Sequence, residues 1–188
     1  MIEEWESPPL LFKLCDALIN SRIFGFIYSG FIKTIGLNGS EAVLDFGSGS
    51  GAGSKYLAEI LAKGGGSLTC VDTSHYLMNI AKKRMKKYGN VRFLNGPLQE
   101  QGLPADSFDV ICMHYVLHEV SPKLRAGIVK EFYRLVKPGG RVCLQEPQRE
   151  YDGMPVSEIR ALMSEAGFWE VSSQEKKGVF SGTFQKDR

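Results

Sequence analysis

The sequence predicts one α/β domain built on a doubly wound, mostly parallel sheet of seven strands that ends in an antiparallel hairpin. Three observations lead to this prediction. From residue 42 onward, short apolar runs alternate with helical stretches, as expected for parallel strands buried on both faces. Right-handed crossovers between such strands place helices on both sides of the sheet. Near the end of the chain, a tight polar turn separates two strand-like runs, and such a turn joins only antiparallel strands.

The parallel part of the sheet follows from the order of the apolar runs. Strands are predicted at residues 42–46, 67–71, 91–94, 108–113 and 141–145. Helices are predicted between them at residues 54–63, 75–88 and about 123–136. Residues 137–140, Lys-Pro-Gly-Gly, are expected to form the turn that leads into the fifth strand.

The end of the chain predicts a helix followed by the hairpin. The helix covers residues 154–166, and Gly167 is a suitable cap for its C-terminus. The two strands lie at about 168–174 and 179–185, with the polar turn Glu-Lys-Lys-Gly between them at residues 175–178.

The beginning of the chain predicts a helical cap. Residues 10–37 are rich in Leu, Ile and Phe, and their spacing indicates two helices with a turn near Asn20. We therefore expect a cap at residues 1–40 that packs on a domain at residues 41–188. The alternative is a mobile lid or an apolar acceptor site, because the aromatic side chains exceed what a surface helix needs. They are Phe12, Phe24, Phe26, Tyr28 and Phe31.

Composition limits the classes of partner. The formal charge of +2 is too small to indicate nucleic acid, whose binding proteins usually carry a concentrated basic face. The basic run at residues 82–87 is expected to be a solvated helix face, with an anionic partner as the alternative. The sequence contains no uninterrupted run of about 18 apolar residues, so no membrane span is predicted.

Cysteine usage and the start of the chain favour a cytoplasmic location. The four cysteines form no C-x-x-C pair, and Cys70, Cys112 and Cys143 lie in apolar strand-like runs. Buried, reduced thiols are therefore expected. The first six residues are acidic, whereas a secretory signal begins with basic residues.

The strongest functional signal is the run DFGSGSG at residues 45–51, between the first strand and the first helix of the sheet. Glycines allow the backbone to turn sharply and to approach a ligand closely. The N–H groups of the following helix face the same place. By glycine spacing alone, Gly47, Gly49 and Ala52 also fit the relaxed dinucleotide fingerprint.

Two carboxylates favour a ligand other than a dinucleotide. Asp45 precedes the first glycine by two residues, where it would repel a pyrophosphate. A ligand with an ammonium and a sulfonium but no phosphate suits this acidic entrance. Asp72 ends the second strand, and a carboxylate there can accept hydrogen bonds from ribose hydroxyls. Asp72 could instead cap the helix that starts near His75.

Three segments resemble the class I S-adenosylmethionine-dependent methyltransferases. The run VLDFGSGSG at residues 43–51 resembles their motif I, LPADSFDVI at 103–111 resembles the segment entering strand four, and LVKPGGR at 135–141 resembles the turn entering strand five. The three occur in the family's order over residues 42–147. The resemblance is greatest to the ubiquinone/menaquinone-biosynthesis-like group (methyltransferase type 11), and it implies a Rossmann-like fold.

The resemblance implies roles for individual residues. Asp45 and the loop residues would hold the methionine part of S-adenosylmethionine. Asp72 would take the ribose hydroxyls, with Thr73 beside it. The loop residues are Gly47, Ser48, Gly49 and Gly51.

The adenine loop departs from the family pattern. Gly96, Pro97 and Leu98 would flank the adenine, but Pro97 stands where an acidic residue commonly meets the adenine amino group. We expect Leu98 to pack on the ring, so that apolar contact replaces the carboxylate.

The segment after strand four supplies candidates for the acceptor site. In an open α/β sheet, ligands bind at the carboxyl ends of the strands. His114 would lie against the cofactor, while Tyr115, His118 and Glu119 could reach the acceptor. His118 with Glu119 could act as a general base, although a structural role for His118 is the alternative. Glu146, after strand five, is either a pocket residue or a solvated charge.

The sequence therefore predicts methyl transfer from S-adenosylmethionine to a small, possibly apolar molecule, with S-adenosylhomocysteine as the product. Direct in-line displacement needs mainly placement, so no catalytic residue is predicted. No metal site is predicted, because the two histidines and Glu119 lack a third ligand nearby in sequence. The alternatives are a non-catalytic binding module of the same fold and an NAD-dependent oxidoreductase.

Overall fold

The computed structural model describes residues 25–148 and 153–188. These residues form a seven-stranded sheet in the order β3-β2-β1-β4-β5-β7-β6 with helices on both faces, which confirms the predicted fold class. The elements in chain order are α1 Gly25–Ile35, β1 Ala42–Phe46, α2 Ser54–Gly64, β2 Ser67–Asp72, α3 His75–Arg84, β3 Val91–Asn95, β4 Phe108–His114, α4 Pro122–Leu135, β5 Val136–Pro147, α5 Val156–Ala166, β6 Trp169–Lys176 and β7 Val179–Gln185. Single 3₁₀ turns occupy Leu98–Glu100 and Leu117–Glu119.

The first five strands are parallel, and the central strands β1, β2 and β4 are buried on both faces. Successive residues of a strand point to opposite faces, so each strand supplies two cores. On one face, Leu44, Ile111 and Leu144 pack with residues of α4 and α5. On the other, Val43 and Val110 pack with residues of α1, α2 and α3. This double burial explains why the strands read as continuous apolar runs.

Helix α1 belongs to the second of these cores. Phe31, Ile32 and Ile35 are buried there beside α2. The helix matches the second of the two helices predicted within residues 10–37. The first predicted helix, and Phe12, Phe24 and the side chain of Phe26, lie outside the described residues. No helix in the described ranges is long and apolar enough to cross a membrane.

Three of the element ends that differ from prediction have a clear physical reason. The expected turn at residues 137–140 is a bulge within β5, because the pairing with β4 shifts there and Gly139 adopts a φ of 75°. Helix α3 ends at Arg84, four residues early, because Met85 leaves the helical conformation as its side chain turns into the core. Helix α5 begins at Val156, since Pro155 is extended.

The C-terminal hairpin is confirmed, with a tighter turn than predicted. β7 pairs with both β5 and β6 in antiparallel register. Only Lys177 and Gly178 lie between the two strands, and both have positive φ values of 53° and 72°. This is the backbone twist that a two-residue hairpin loop requires.

Candidate functional site

The predicted site residues converge at the carboxyl ends of neighbouring parallel strands. Asp45 is the last residue but one of β1, Asp72 ends β2, and His114 ends β4. β1 lies between β2 and β4. From β1 the sheet is built outward through β2 and β3 on one side, and the chain then returns to add β4 and β5 on the other side, so the strand order reverses at β1. Such a reversal opens a crevice at the strand ends, where α/β proteins bind ligands.

The glycine-rich loop forms the floor of this crevice. At two of its positions, Gly47 and Gly51, there is no room for a side chain. A Cβ on Gly47 would lie 2.5 Å from the methyl groups of Val116, and one on Gly51 would lie 2.8 Å from Met85. Gly47, Gly49 and Gly51 all have positive φ. At Gly49, the space where a side chain would be is open. The loop therefore packs closely below and offers bare backbone above, as close approach of a ligand requires.

Asp72 holds the tip of this loop. Its two carboxylate oxygens accept the N–H groups of Gly49, at 2.7 Å, and Ser74, at 2.8 Å. The bond to Ser74 supports the start of α3, where the Ser74 hydroxyl also accepts the N–H of Leu77. Partial burial raises the pKa of Asp72, while the two backbone donors lower it. Ser74, rather than Asp72, is therefore the N-cap of α3, and the Asp72 carboxylate instead joins this cap residue to the tip of the glycine-rich loop.

Asp45 lies beneath the loop. Its side chain is 8% exposed and accepts the Ser54 hydroxyl at 2.6 Å, with the Cys112 thiol at 3.7 Å. Burial raises the pKa of Asp45 from 3.8 to about 6, and the charge of Asp72 adds to this. Asp45 therefore contributes negative charge under the loop, and Ser54 at the first residue of α2 ties it to that helix. No sequence pattern had indicated the partners Ser54 and Cys112.

The remaining cofactor candidates differ in their exposure and in their distance from the crevice. Ser48 is buried in the loop and Thr73 is exposed beside Asp72. Gly96 donates its N–H to the Asp72 carbonyl, which places the loop after β3 next to the same crevice. Leu98 departs from expectation, because its side chain is 2% exposed and packs in the core. It anchors this loop and has no free face for an adenine ring.

His114 lies within a cluster of aromatic rings. Its ring centroid is 4.2 Å from that of Tyr115, 5.1 Å from Tyr28 and 5.3 Å from Phe31. Burial lowers the pKa of His114 to about 4, so the imidazole is neutral at physiological pH. Its Nε2 atom is buried without a hydrogen-bond partner. Tyr28 also packs on Gly53, so α1 reaches both the histidine and the end of the glycine-rich loop.

Glu146 occupies neither of its two predicted environments. The residue is completely buried and accepts hydrogen bonds from the backbone N–H groups of Val116, Leu117 and His118. Its Oε2 atom also lies 2.7 Å from Nδ1 of the His118 ring. Both a pocket surface and a solvated charge are therefore wrong. The sequence could not reveal this pairing, because 28 residues separate Glu146 from His118.

Arg125 is a further residue that sequence analysis missed. Its guanidinium donates to the carbonyls of His118 and Val120, each at 2.9 Å, and to the Glu158 carboxylate at 2.7 Å. A helical pattern alone marks such an arginine as an ordinary polar position of α4. In the fold, it is nearly buried and fixes the segment that carries His118. Within residues 25–148 and 153–188, no three His, Cys, Asp or Glu side chains are grouped as metal ligands.

Comparisons with known proteins agree with this architecture. A family model described as a methyltransferase domain matches residues 44–144. The chain is 35% identical over 116 residues to a demethylmenaquinone methyltransferase of Tropheryma whipplei (strain Twist). That match covers 61% of this chain and 45% of the relative. The chain thus spans about half the length of the curated relatives it matches.

Two solved structures share the fold. A SAM-dependent methyltransferase from Aquifex aeolicus has a TM-score of 0.71 and 25% identity, covering 84% of this chain and 88% of that chain. An N-methyltransferase from Bradyrhizobium japonicum, solved in complex with S-adenosyl-L-homocysteine, has a TM-score of 0.74 and 16% identity. The second match covers 92% of this chain and 91% of that chain, and at this identity it shows the fold alone.

Proposed function

Because the chain belongs to the family of methyltransferase domains, whose model matches more than half of its residues, we propose that it transfers a methyl group from S-adenosylmethionine to a small molecule. The family assignment confirms the resemblance that the three sequence segments indicated. The activity and the acceptor are inferred from the site.

The contact between Asp72 and the loop is the observation that carries the proposal. A dinucleotide site turns the N–H groups of its glycine-rich loop toward a pyrophosphate. Here the Gly49 N–H is directed at the Asp72 carboxylate, and Asp45 adds a second negative charge beneath the loop. Phosphate groups would be repelled by this pair, whereas an ammonium or a sulfonium would be attracted. The site therefore supports S-adenosylmethionine over NAD.

The residues present fit the proposed cofactor. An ionised carboxylate offers about four acceptor positions, and Asp72 uses two of them for Gly49 and Ser74. The remaining positions would accept the ribose hydroxyls. The bare backbone at Gly49 would meet the methionine part, and Gly96 with Pro97 would border the adenine. When bound, S-adenosylmethionine supplies a methyl group already activated by a positively charged sulfur.

The contribution of the protein is then placement and exclusion of water. Tyr28 and Phe31 bring α1 onto the His114 end of the crevice, which supports a role for α1 as its cover. Holding the acceptor atom in line with the methyl group removes much of the entropic barrier. Shielding that arrangement from water prevents competing reactions. Direct displacement needs no covalent intermediate on the protein.

The aromatic cluster and the named relative favour a small, apolar acceptor. Tyr28, His114 and Tyr115 of this cluster are partly exposed and offer aromatic surface at the crevice, while Phe31 is buried. The relative from Tropheryma whipplei is named for demethylmenaquinone, which is therefore the first acceptor to assay. The buried thiols of Cys70, Cys112 and Cys143 support a reducing, cytoplasmic setting.

Calorimetry tests the proposal. We expect S-adenosylmethionine and S-adenosylhomocysteine to bind the purified chain and NAD not to bind. Replacing Asp45 and Asp72 together with alanine should lower the affinity at least tenfold, since hydrogen bonds to charged groups are each worth about 1.5–3 kcal/mol. Glu59→Gln, which removes an exposed charge on α2, serves as the matched control. Unchanged binding by the double variant would contradict the assignment, provided that its thermal melt shows a folded protein.

A labelled methyl group separates catalysis from binding alone. Pro97 replaces an acidic residue in the adenine loop, which is the feature that favours a non-catalytic module. If the chain is an enzyme, we expect it to transfer the labelled methyl group to at least one member of a panel of small acceptors that includes demethylmenaquinone. Tight binding with no transfer to any member would favour the non-catalytic alternative.

A further inference from the structure

The basic run at residues 82–87 does not form one uniform solvated face. Its four lysines are exposed, whereas Arg84 is half-buried and Met85 is buried. Ala81, Arg84 and Met85 are spaced three and four residues apart, so they lie on one side of the end of α3. That side faces the glycine-rich loop, because a Cβ on Gly51 would lie 2.8 Å from Met85 and 3.1 Å from Ala81. Arg84 is thus placed against the loop.

The Arg84 guanidinium binds the middle of this loop. Its Nη1 atom donates to the carbonyl oxygen of Ser50 and, at 3.0 Å, to the hydroxyl oxygen of the same residue. Ser50 is buried, and it is a central residue of the tight turn that the Gly51 N–H closes on the Ser48 carbonyl at 2.9 Å. A hydrogen bond from a charged donor is stronger than one between neutral groups. Arg84 therefore fixes the direction of a carbonyl group inside the turn.

Helix α3 is attached to this turn at both of its ends. At its start, the Asp72 carboxylate accepts the N–H groups of Gly49 and of the cap residue Ser74. At its end, Arg84 donates to Ser50. The two central residues of the turn are thus held by a carboxylate on one and a guanidinium on the other. The space beside the Gly49 backbone stays open, and this is where the methionine part of the proposed cofactor would lie.

We propose that Arg84 is a positioning residue for cofactor binding, which keeps residues 48–51 in the conformation that receives the methionine part of S-adenosylmethionine. The inference rests on the proposed function and adds to its cofactor site a residue of the basic run. Glycines permit many backbone angles, so the turn without Arg84 should populate other conformations. The apparent affinity of a ligand falls by the fraction of molecules that have the binding conformation. Arg84 can therefore raise the affinity without touching the cofactor.

Three variants separate this role from the charge at the end of the helix. Arg84→Met removes the donors but keeps an unbranched apolar side chain. Lys83→Met removes the same charge from the same last turn of α3, at an exposed position. Arg84→Lys keeps the charge and can restore a single donor to the Ser50 carbonyl. Thermal melts check that each variant is folded, and Arg84→Lys, the milder change, carries the test if Arg84→Met does not fold.

Calorimetry measures the effect on the whole ligand. Arg84→Met should bind S-adenosylhomocysteine about 10–100-fold more weakly than wild type does, the usual effect of losing a hydrogen bond to a charged group. Arg84→Lys should show a smaller loss, and Lys83→Met should bind within about twofold of wild type, as expected for an exposed charge. Equal affinities of Arg84→Met and wild type would overturn the proposal, and so would an equal loss in Lys83→Met.

A truncated ligand shows which part of the cofactor depends on Arg84. Methylthioadenosine has the adenosyl group and the sulfur but lacks the amino acid part that would lie on the turn. Its affinity for Arg84→Met, measured by competition, should differ from that for wild type much less than the affinity for S-adenosylhomocysteine does. A loss of the same size for both ligands would indicate a general distortion of the site, and the positioning role would then be wrong.

Amide exchange tests the turn itself without any ligand. The Gly49 N–H is bonded to Asp72, so it exchanges with solvent when the turn opens. In the unliganded protein, we expect this amide to exchange about tenfold or more faster in Arg84→Met than in wild type. In Lys83→Met, its rate should be that of wild type. An unchanged rate in Arg84→Met would contradict the positioning role.

The two proposals fail in different ways. If neither S-adenosylmethionine nor S-adenosylhomocysteine binds the wild-type chain, the proposed function is wrong, and the exchange rate of Gly49 still decides whether Arg84 holds the turn. If both ligands bind equally well to wild type and to Arg84→Met, only the role of Arg84 is wrong.

Discussion

The buried carboxylate of Asp45 makes the stability of the domain depend on pH in a way that one substitution can test. Its pKa is raised from 3.8 to about 6, chiefly because burial disfavours the charged form. The folded protein therefore binds this proton more tightly than the unfolded chain does. The group stabilises the fold below pH 4, and this contribution is lost as the pH rises through 6.

The size of the effect follows from the same values. Each tenfold change in proton affinity corresponds to about 1.4 kcal/mol, so ionised Asp45 costs the folded protein about 3 kcal/mol at pH 8. Asparagine has the same shape without the charge, and its oxygen can still accept the Ser54 hydroxyl. We expect Asp45→Asn to raise the free energy of unfolding by about 1–3 kcal/mol at pH 8. At pH 4 the difference should vanish.

Thermal melts followed by circular dichroism provide the measurement. For a chain of this length, each kcal/mol corresponds to a change in Tm of roughly 2–4 °C. Comparing variant and wild type at each pH from 4 to 8 cancels the titration of the other groups, and Glu59→Gln controls for the change in net charge. A lower Tm of Asp45→Asn than of wild type at pH 8, or an equal difference in Tm at pH 4, would refute the raised pKa of Asp45. The stabilised variant should also bind S-adenosylmethionine more weakly, because function requires the charge.

Three further substitutions test the packing around the site and the hairpin. Gly47→Ala should destabilise the domain by about 2–4 kcal/mol, because its Cβ would meet Val116 at 2.5 Å and its φ is 71°; adding Val116→Ala should recover part of this in chemical denaturation, and no recovery would contradict the predicted clash. His114→Phe should stabilise the domain by about 1–2 kcal/mol at pH 8, since it removes an unpaired buried nitrogen. This gain in the free energy of unfolding should grow as the pH falls from 6.5 to about 4, because in that range the histidine of the unfolded wild-type chain is protonated while the folded one is neutral. A gain in thermal melts that does not change with pH would contradict the lowered pKa of His114. Lys177→Gly should stabilise by about 0.5–1 kcal/mol because φ is 53° there, whereas Lys176→Gly within β6 should not.

The sequence predicted the strands and helices because their signals are local. Apolar runs such as the one at 42–46 mark strands buried on both faces, and the structure buries Val43 and Leu44 on opposite sides. Element ends were less predictable. Met85 is compatible with a helix by its side chain alone, but the core position beside Gly51 ends α3 there.

The candidate site was predictable where one side chain follows one strand. The carboxylates at the ends of β1 and β2 and the histidine at the end of β4 meet in the crevice for this reason. Partners from distant segments were not predictable. Leu98 is a core residue because helix α4 covers it, and Glu146 reaches His118 because β5 lies next to β4.

By itself, the sequence determined the class of fold, the glycine-rich turn and the two carboxylates beside it. These depend on chain periodicity and on backbone angles that few residues other than glycine adopt, and both are properties of short segments. Only the tertiary structure decided what each charged group faces. Hydrogen bonds such as the one between Glu146 and His118 join residues that become neighbours only when the sheet is assembled. Burial likewise shifts the pKa of a charged group only after the folded core surrounds it.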